Sequence, residues 1–404
     1  MSEPALVNAS VEDARARMIR ALSPLAGEEV ALEDALGRVL AANIAAMRDQ
    51  PPFPASAMDG YAVRAADTPG RLKLVGESAA GAGYAQPLRA GECARIFTGA
   101  PLPDGADCVA IQEDVHRDGD LVDVPQTEAS RHVRARAIDF KAGDTMLHAG
   151  DVLDGVALTL AAGCGAASLW VRRRPRVAIL ATGDEIVPPG SEIAAHQIYE
   201  SVSFGLKALV ESWGGSAFRL KPQRDDVDAI VAAAREGFED ADLVVTIGGA
   251  SVGDRDLVKP AFGAFALALE VDKIAVRPGK PTWFGLTSSG PALGLPGNPA
   301  SALVCAHLFL KPIVLALLGR EAAPSLARAH LGAALPQNGP REHYLRARLS
   351  IDDQAQLTAT PFEAQDSSLM RVFHDADALV RLPPNANALD VGALIDIVRL
   401  DRLR

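Results

Sequence analysis

The hydrophobic pattern changes period several times along the chain. Near the start, Val11, Ala14, Met18 and Leu22 recur at helical spacing, and Ser10 stands where an N-cap belongs. Residues 1–45 are accordingly read as helical. The stretch from Gln50 to Asp59 breaks this pattern with Pro51, Pro52 and Pro54 and a small-residue turn. From about 60 to 145 the chain shows short β-runs separated by Gly, Pro and Asp: YAVRA, RLKLVGES, ECARIFTG, CVAIQED and DLVDVP. Such spacing predicts a compact β-rich module. Helical character returns over 150–171. The simplest organisation is a β-rich module at 46–143 inserted into a helical linking domain built from 1–45 and 144–174.

Beyond Arg172–Arg174 the pattern becomes α/β. RPRVAILA and DADLVVTIG are continuous apolar runs, the signature of strands buried on both faces. Residues 197–213 and 225–238 read as helices, and PALGLPGNPASALVCAHLFLKPIVLALLG reads as a strand, a loop and a long helix. This alternation over 175–322 predicts a parallel sheet covered by helices. Residues 323–404 revert to short β-runs and form a small C-terminal β-domain. The fold class is therefore α/β multidomain.

Composition narrows the function classes. Among 404 residues, 49% are hydrophobic and 23% charged, which suits a core-forming protein and excludes a disordered chain. The net charge of −11 argues against a general nucleic-acid binder. The longest apolar stretch, Val156 to Val171, is shorter than a membrane span of roughly 20 residues. The charged start reads as an amphipathic helix and not as a signal segment. Cys93, Cys108, Cys164 and Cys305 form no CxxC pair, and the eight histidines show no HxH or HExxH spacing. A cytoplasmic protein with reduced thiols is expected.

Ligands on parallel sheets bind beyond the carboxyl ends of the strands, where four loops of this chain fall. TGDE supplies Thr182, Gly183 and the paired carboxylates Asp184 and Glu185, suited to Mg²⁺ or a sugar-like hydroxyl, or to an ordinary capped turn. GGASVGDRD contains Gly249, Ser251 and Gly253 in the GxSxG spacing of a hydrolase elbow. That reading needs an acid and then a histidine in chain order. Instead Asp254 and Asp256 follow at once, and His307, His343 and His374 stand in no telling context. A glycine turn holding an anion, with the two aspartates on a metal ion, competes with it, as does a plain strand-to-helix turn. In KIAVRPGKP, Lys273, Arg277 and Lys280 share one short segment that Pro278 and Gly279 force to turn. In a chain of net charge −11, such a loop suits an oxyanion such as phosphate or molybdate, with a solvated basic turn as the alternative. LPGNPAS places Pro296 and Gly297 before an N-cap Asn298, with Pro299 and Ser301 opening the long helix, whose positive end suits an anion, or which is simply a well-capped buried helix needing no ligand.

Together, PPFPASAMDGYAV, RIFTGAPLPDGADCVAIQED, ATGDEIVPPG, GGASVGDRD, RPGKP and GLPGNPAS resemble, in the same order, the molybdopterin molybdenumtransferases, that is, the bacterial MoeA proteins and the E-domain of gephyrin. The resemblance runs from about residue 8 to the end. It implies an enzyme that inserts molybdenum from molybdate into adenylylated molybdopterin with release of AMP, Mg²⁺-dependent and homodimeric. The site would lie between the α/β domain of one subunit and the inserted module of the other. Upstream and downstream proteins of cofactor synthesis would be its partners, with neither nucleic acid nor membrane involved. Carried over position by position, the resemblance marks Asp59, Thr98, Glu113, Asp139, Glu185, Asp256, Lys273 and Lys280 as catalytic. It marks Thr182, Gly183, Gly249, Ser251, Gly253, Arg277, Pro296, Gly297, Asn298, Ser301, Arg346, Ser367 and Ser368 as substrate-binding. Asp184, Glu185 and Asp256 would hold the metal. Three stretches depart from the family pattern. Glu200 and Val202 stand where an Asp and an Asn are usual. Ala137-Ile138-Asp139 replaces Gly-Glu-Asp. Gln365-Asp366-Ser367-Ser368 replaces Gly-Ser-Gly, and Asp366 would repel a dianion. These departures leave room for a non-catalytic molybdopterin-binding scaffold or a paralogue with altered substrate.

Overall fold

The computed structural model describes residues 3–249, 257–322 and 326–401. Its centre is a seven-stranded sheet. Ser216–Arg219, Arg176–Ala181, Leu243–Ile247 and Gly290–Leu295 lie side by side, all parallel. The expected parallel sheet is this block. It is extended by Trp283–Thr287, which forms an antiparallel hairpin with Gly290–Leu295, then by Ala268–Ile274. Alternation along Arg176–Ala181 divides the core. Val177, Ile179 and Ala181 face one cluster with the helices Val11–Arg20, Val202–Ser212 and Pro299–Leu317. Ala178 and Leu180 face another with Val227–Asp240 and Val258–Phe262. Burial on both faces is why these strands read as unbroken apolar runs.

The N-terminal segment corrects the linking-domain reading. Only Val11–Arg20 is an α-helix there, and Ser10 Oγ accepts from the Asp13 amide at 3.0 Å as its cap. That helix packs on the α/β unit, and Leu6–Ala9 pairs in parallel with Ala268–Ile274. Gly27–Ala31 is a strand, paired with Ser168–Arg172, so helical character is also lost at the end of 150–171. Each strand exists because a partner some 140 positions distant supplies its hydrogen bonds, which local periodicity does not report. The inserted module is a six-stranded sheet spanning Gly60–Val63 to Leu121–Val124.

In the C-terminal unit, Glu342–Ile351 pairs with both Leu357–Pro361 and Ala378–Leu382, which closes the sheet into a barrel. Val276–Arg277 of the α/β unit adds to it in parallel, opposite Glu342–His343. The helix Pro299–Leu317 is long and apolar enough to cross a membrane, yet 94% of it is buried inside the protein, which makes it a core helix.

Candidate functional site

A cavity of about 600 Å³ opens at the carboxyl ends of Arg176–Ala181, Leu243–Ile247 and Gly290–Leu295. Backbone bonds gather the loops there. The Thr182 amide donates to the Ile247 carbonyl at 2.9 Å, Gly183 to Gln223 at 3.1 Å, and Gly248 to Leu295 at 3.2 Å. Gly248 has φ +90, and a Cβ there would stand 2.5 Å from the Thr182 carbonyl oxygen. A side chain at this position would separate the two loops. Thr182, Gly183, Gly249, Pro296, Gly297 and Asn298 all line the cavity. Ser251, Gly253, Asp254 and Asp256 lie outside the described residues.

Glu185 lines the cavity, while Asp184 Oδ1 accepts from the Asp225 amide at 3.3 Å. Asp225 lines it too, and sequence reasoning missed it. No motif marks Asp225. It arrives through the pairing of Gln223 with Thr182, which only the folded sheet creates. Among the described residues no group of three or more His, Cys, Asp or Glu converges as a metal site. Mg²⁺ commonly takes one or two carboxylates together with substrate phosphates and water, and of the carboxylates Asp184 and Glu185 only Glu185 lines the cavity to meet that demand. No histidine appears among the described residues that line the cavity. His307 is buried, 5.5 Å from the Trp213 ring.

The cationic loop borders the same cavity through Pro281. The Ile274 amide donates to the Lys280 carbonyl at 2.9 Å, and Thr282 Oγ1 donates to the Gly279 carbonyl at 2.8 Å. Arg277 and Lys280 are exposed, and Lys273 adopts φ +64. Asn298 occupies the N-cap position, but its side chain makes no cap bond. Its Nδ2 donates instead to Ser367 Oγ at 2.8 Å, while the Ser367 carbonyl accepts from the Ala300 amide at 3.1 Å. A barrel loop therefore caps the helix. Ser301 is buried in the first turn and does not line the cavity.

Arg346, expected at an oxyanion, is 1% exposed. Its Nε and amide both donate to Gln365 Oε1 at 3.0 Å, and Nη1 donates to the Asp366 carbonyl at 2.9 Å. It clamps the loop that reaches the helix. Within that loop Asp366 Oδ1 accepts from the Ser368 hydroxyl at 2.6 Å and its amide at 2.9 Å, which with Arg346 holds its carboxyl below the usual range. Ser368 lines the cavity.

Of the residues picked from the inserted module, Asp59, Thr98 and Glu113 form a second cluster. Asp59 Oδ1 accepts from the Thr98 amide at 2.7 Å and hydroxyl at 2.9 Å, and these bonds, with the Arg95 charge, lower its pKa. Glu113 Oε1 accepts from Gln112 Nε2 at 3.3 Å, and Gln112 Oε1 accepts from Arg95. Arg95, which the motifs did not single out, lies 4.9 Å from the Phe97 ring centroid and 5.3 Å from that of Tyr61. The Asp139 amide donates to the Gln50 carbonyl at 3.0 Å. Asp59, Thr98, Glu113 and Asp139 do not line the cavity of their own chain.

Comparison with known proteins covers the whole architecture. Residues 9–165 match the family model of the MoeA N-terminal region (domain I and II). Residues 178–316 match a probable molybdopterin binding domain, and 328–400 the MoeA C-terminal region (domain IV). The chain is 34% identical to molybdopterin molybdenumtransferase 2 of Mycobacterium tuberculosis, covering 95% of this chain and 96% of that one. It is 31% identical to the molybdopterin molybdenumtransferase of Haemophilus influenzae, covering 98% and 99%. The crystal structure of a molybdopterin biosynthesis MoeA protein from a Pyrococcus species superposes with a TM-score of 0.85 at 32% identity, covering 97% and 98%.

Proposed function

We infer the function from one premise: the chain belongs to the molybdopterin molybdenumtransferase family. It is a transferase of molybdenum cofactor synthesis. The reaction we propose takes molybdenum from molybdate into adenylylated molybdopterin and releases AMP. One observation carries this reading: a glycine-lined cavity at the sheet tip, reached by the cationic loop through Pro281 and lined by Glu185 and Asp225.

The parts divide the work by chemistry. Backbone amides around Gly249 and Gly297 would donate to phosphate oxygens without the cost of reorienting a solvent shell. Lys273, Arg277 and Lys280 attract molybdate and hold it against the pyrophosphate, which turns an encounter between two anions into a positioned reaction. Asp184 and Glu185 would hold Mg²⁺. When bound, this ion supplies Lewis-acid polarisation of the pyrophosphate. The Asp59, Thr98 and Glu113 cluster serves the cavity of a second copy, since none of the three lines that of its own chain. The working unit is therefore a homodimer, and we place it in the cytoplasm among the other proteins of the cofactor route.

A turnover assay with adenylylated molybdopterin, molybdate and Mg²⁺ tests the reading. Wild-type protein releases AMP, and Lys280→Ala lowers that release by roughly a hundredfold with an unchanged melting temperature. Unaltered AMP release in Lys280→Ala would remove the lysine from the mechanism. The engagement of Arg346 with Gln365 favours a second reading, a scaffold that binds without turning over. Tight binding by the wild type with no AMP would establish that one.

A further inference from the structure

Glu200 lines a cavity proposed to receive anions, yet it is a carboxylate only 4% exposed. Its surroundings account for the charge. Glu200 Oε1 accepts from the Ser203 amide at 2.8 Å, and Oε2 from the Ser203 hydroxyl at 2.6 Å. Arg219 Nη2 donates to Oε2 at 3.3 Å, and its Nε donates to the same Ser203 hydroxyl at 2.5 Å. The guanidinium carbon lies 3.4 Å from the centre of the Phe204 ring. Ser201, at the N-cap position of Val202–Ser212, makes no side-chain cap bond, so the Glu200 carboxylate takes its place.

Two positive features therefore converge on Glu200 at this part of the cavity wall: the guanidinium of Arg219, itself not a lining residue, and the amide end of a helix whose Ser201 and Val202 line the cavity. Left alone, they would attract a phosphate to the wrong wall. We propose that Glu200 is a specificity-determining residue, whose carboxylate cancels Arg219 and this helix end. The anionic groups of the ligand are thereby directed to the wall formed by Gly248, Gly297 and the cationic loop. This deepens the proposed function, because it concerns how the same cavity takes an anionic substrate. It also explains the departure at position 200, since the longer Glu reaches Ser203 and Arg219 together.

The test is a charge cycle read with inorganic phosphate by calorimetry at low ionic strength, on the whole protein. Glu200→Gln uncovers the positive wall, and phosphate binds roughly three- to tenfold more tightly. Arg219→Met uncovers the carboxylate, and binding weakens by a similar factor. The double variant returns near the wild type, the outcome that a merely structural cap does not produce. Equal phosphate affinity in all four proteins overturns the proposal. Should Glu200→Gln fail to fold, Arg219→Met decides alone, and an unweakened affinity there overturns it as well. AMP release is measured separately, so a chain that shows the charge cycle without turnover loses the proposed reaction and keeps the role of Glu200.

Discussion

Gly279 shows how little room the site leaves at the scale of one residue. A Cβ there would stand 2.2 Å from Cys305 Sγ, and the backbone is at φ +118. Steric crowding and left-handed strain act together, so Gly279→Ala should lower the unfolding free energy by about 2 kcal/mol or more, measured by chemical denaturation. Adding Cys305→Ala relieves the crowding alone and should restore only part. A full restoration would mean that φ is not constrained. The motif RPGKP makes a turn at Gly279 legible, because Pro-Gly has few other uses. Its contact with Cys305 was not legible, since 26 positions separate them and the meeting depends on how the helix docks. Arg346 shows the reverse case. The family resemblance marked it as a ligand contact, and the structure shows it buried and holding loop 365–369.

At the scale of elements, the barrel shapes the site from outside. Its strand Glu342–Ile351 pairs with Val276–Arg277, and its Ser367 caps the helix that begins at Pro299. His343 sits in this junction. Burial, reinforced by Arg277, Arg341 and Arg346, pushes its pKa from 6.5 down to about 4. A depressed pKa means that the unfolded chain takes up the proton first. Stability is thus complete above about pH 6.5, declines as pH falls, and the loss is full below about pH 4. His343→Gln should flatten that part of the pH–stability curve, followed by thermal melts across it. An unchanged slope would place the titrating group elsewhere. The strands and the long helix were legible from apolar runs and LPGNPAS. The barrel cap was not, because Ser367 lies 69 positions beyond Asn298.

At the scale of the whole molecule, the catalytic residues expected from the motifs fall into two groups. Glu185 and the cationic loop belong to the α/β unit, while Asp59, Thr98 and Glu113 belong to the inserted module. If one site takes a group from each of two chains, Asp59→Ala and Lys280→Ala should complement one another. Random pairing of the two inactive proteins then restores about one quarter of wild-type sites, read as AMP release after mixing and reassembly. A mixture as inactive as its components would put both groups in one chain's site. The amino-acid sequence by itself determined the alternation of buried strands and helices, the loops at the strand ends and the family resemblance, because these depend on neighbours within a few positions. Only the tertiary structure decided which charges stand at the cavity wall and which are bound elsewhere. It enlisted Asp225, committed Arg346 to a loop and balanced Glu200 with Arg219. The energy of a charge is set by its burial and its partners, and those come from segments far away in the chain.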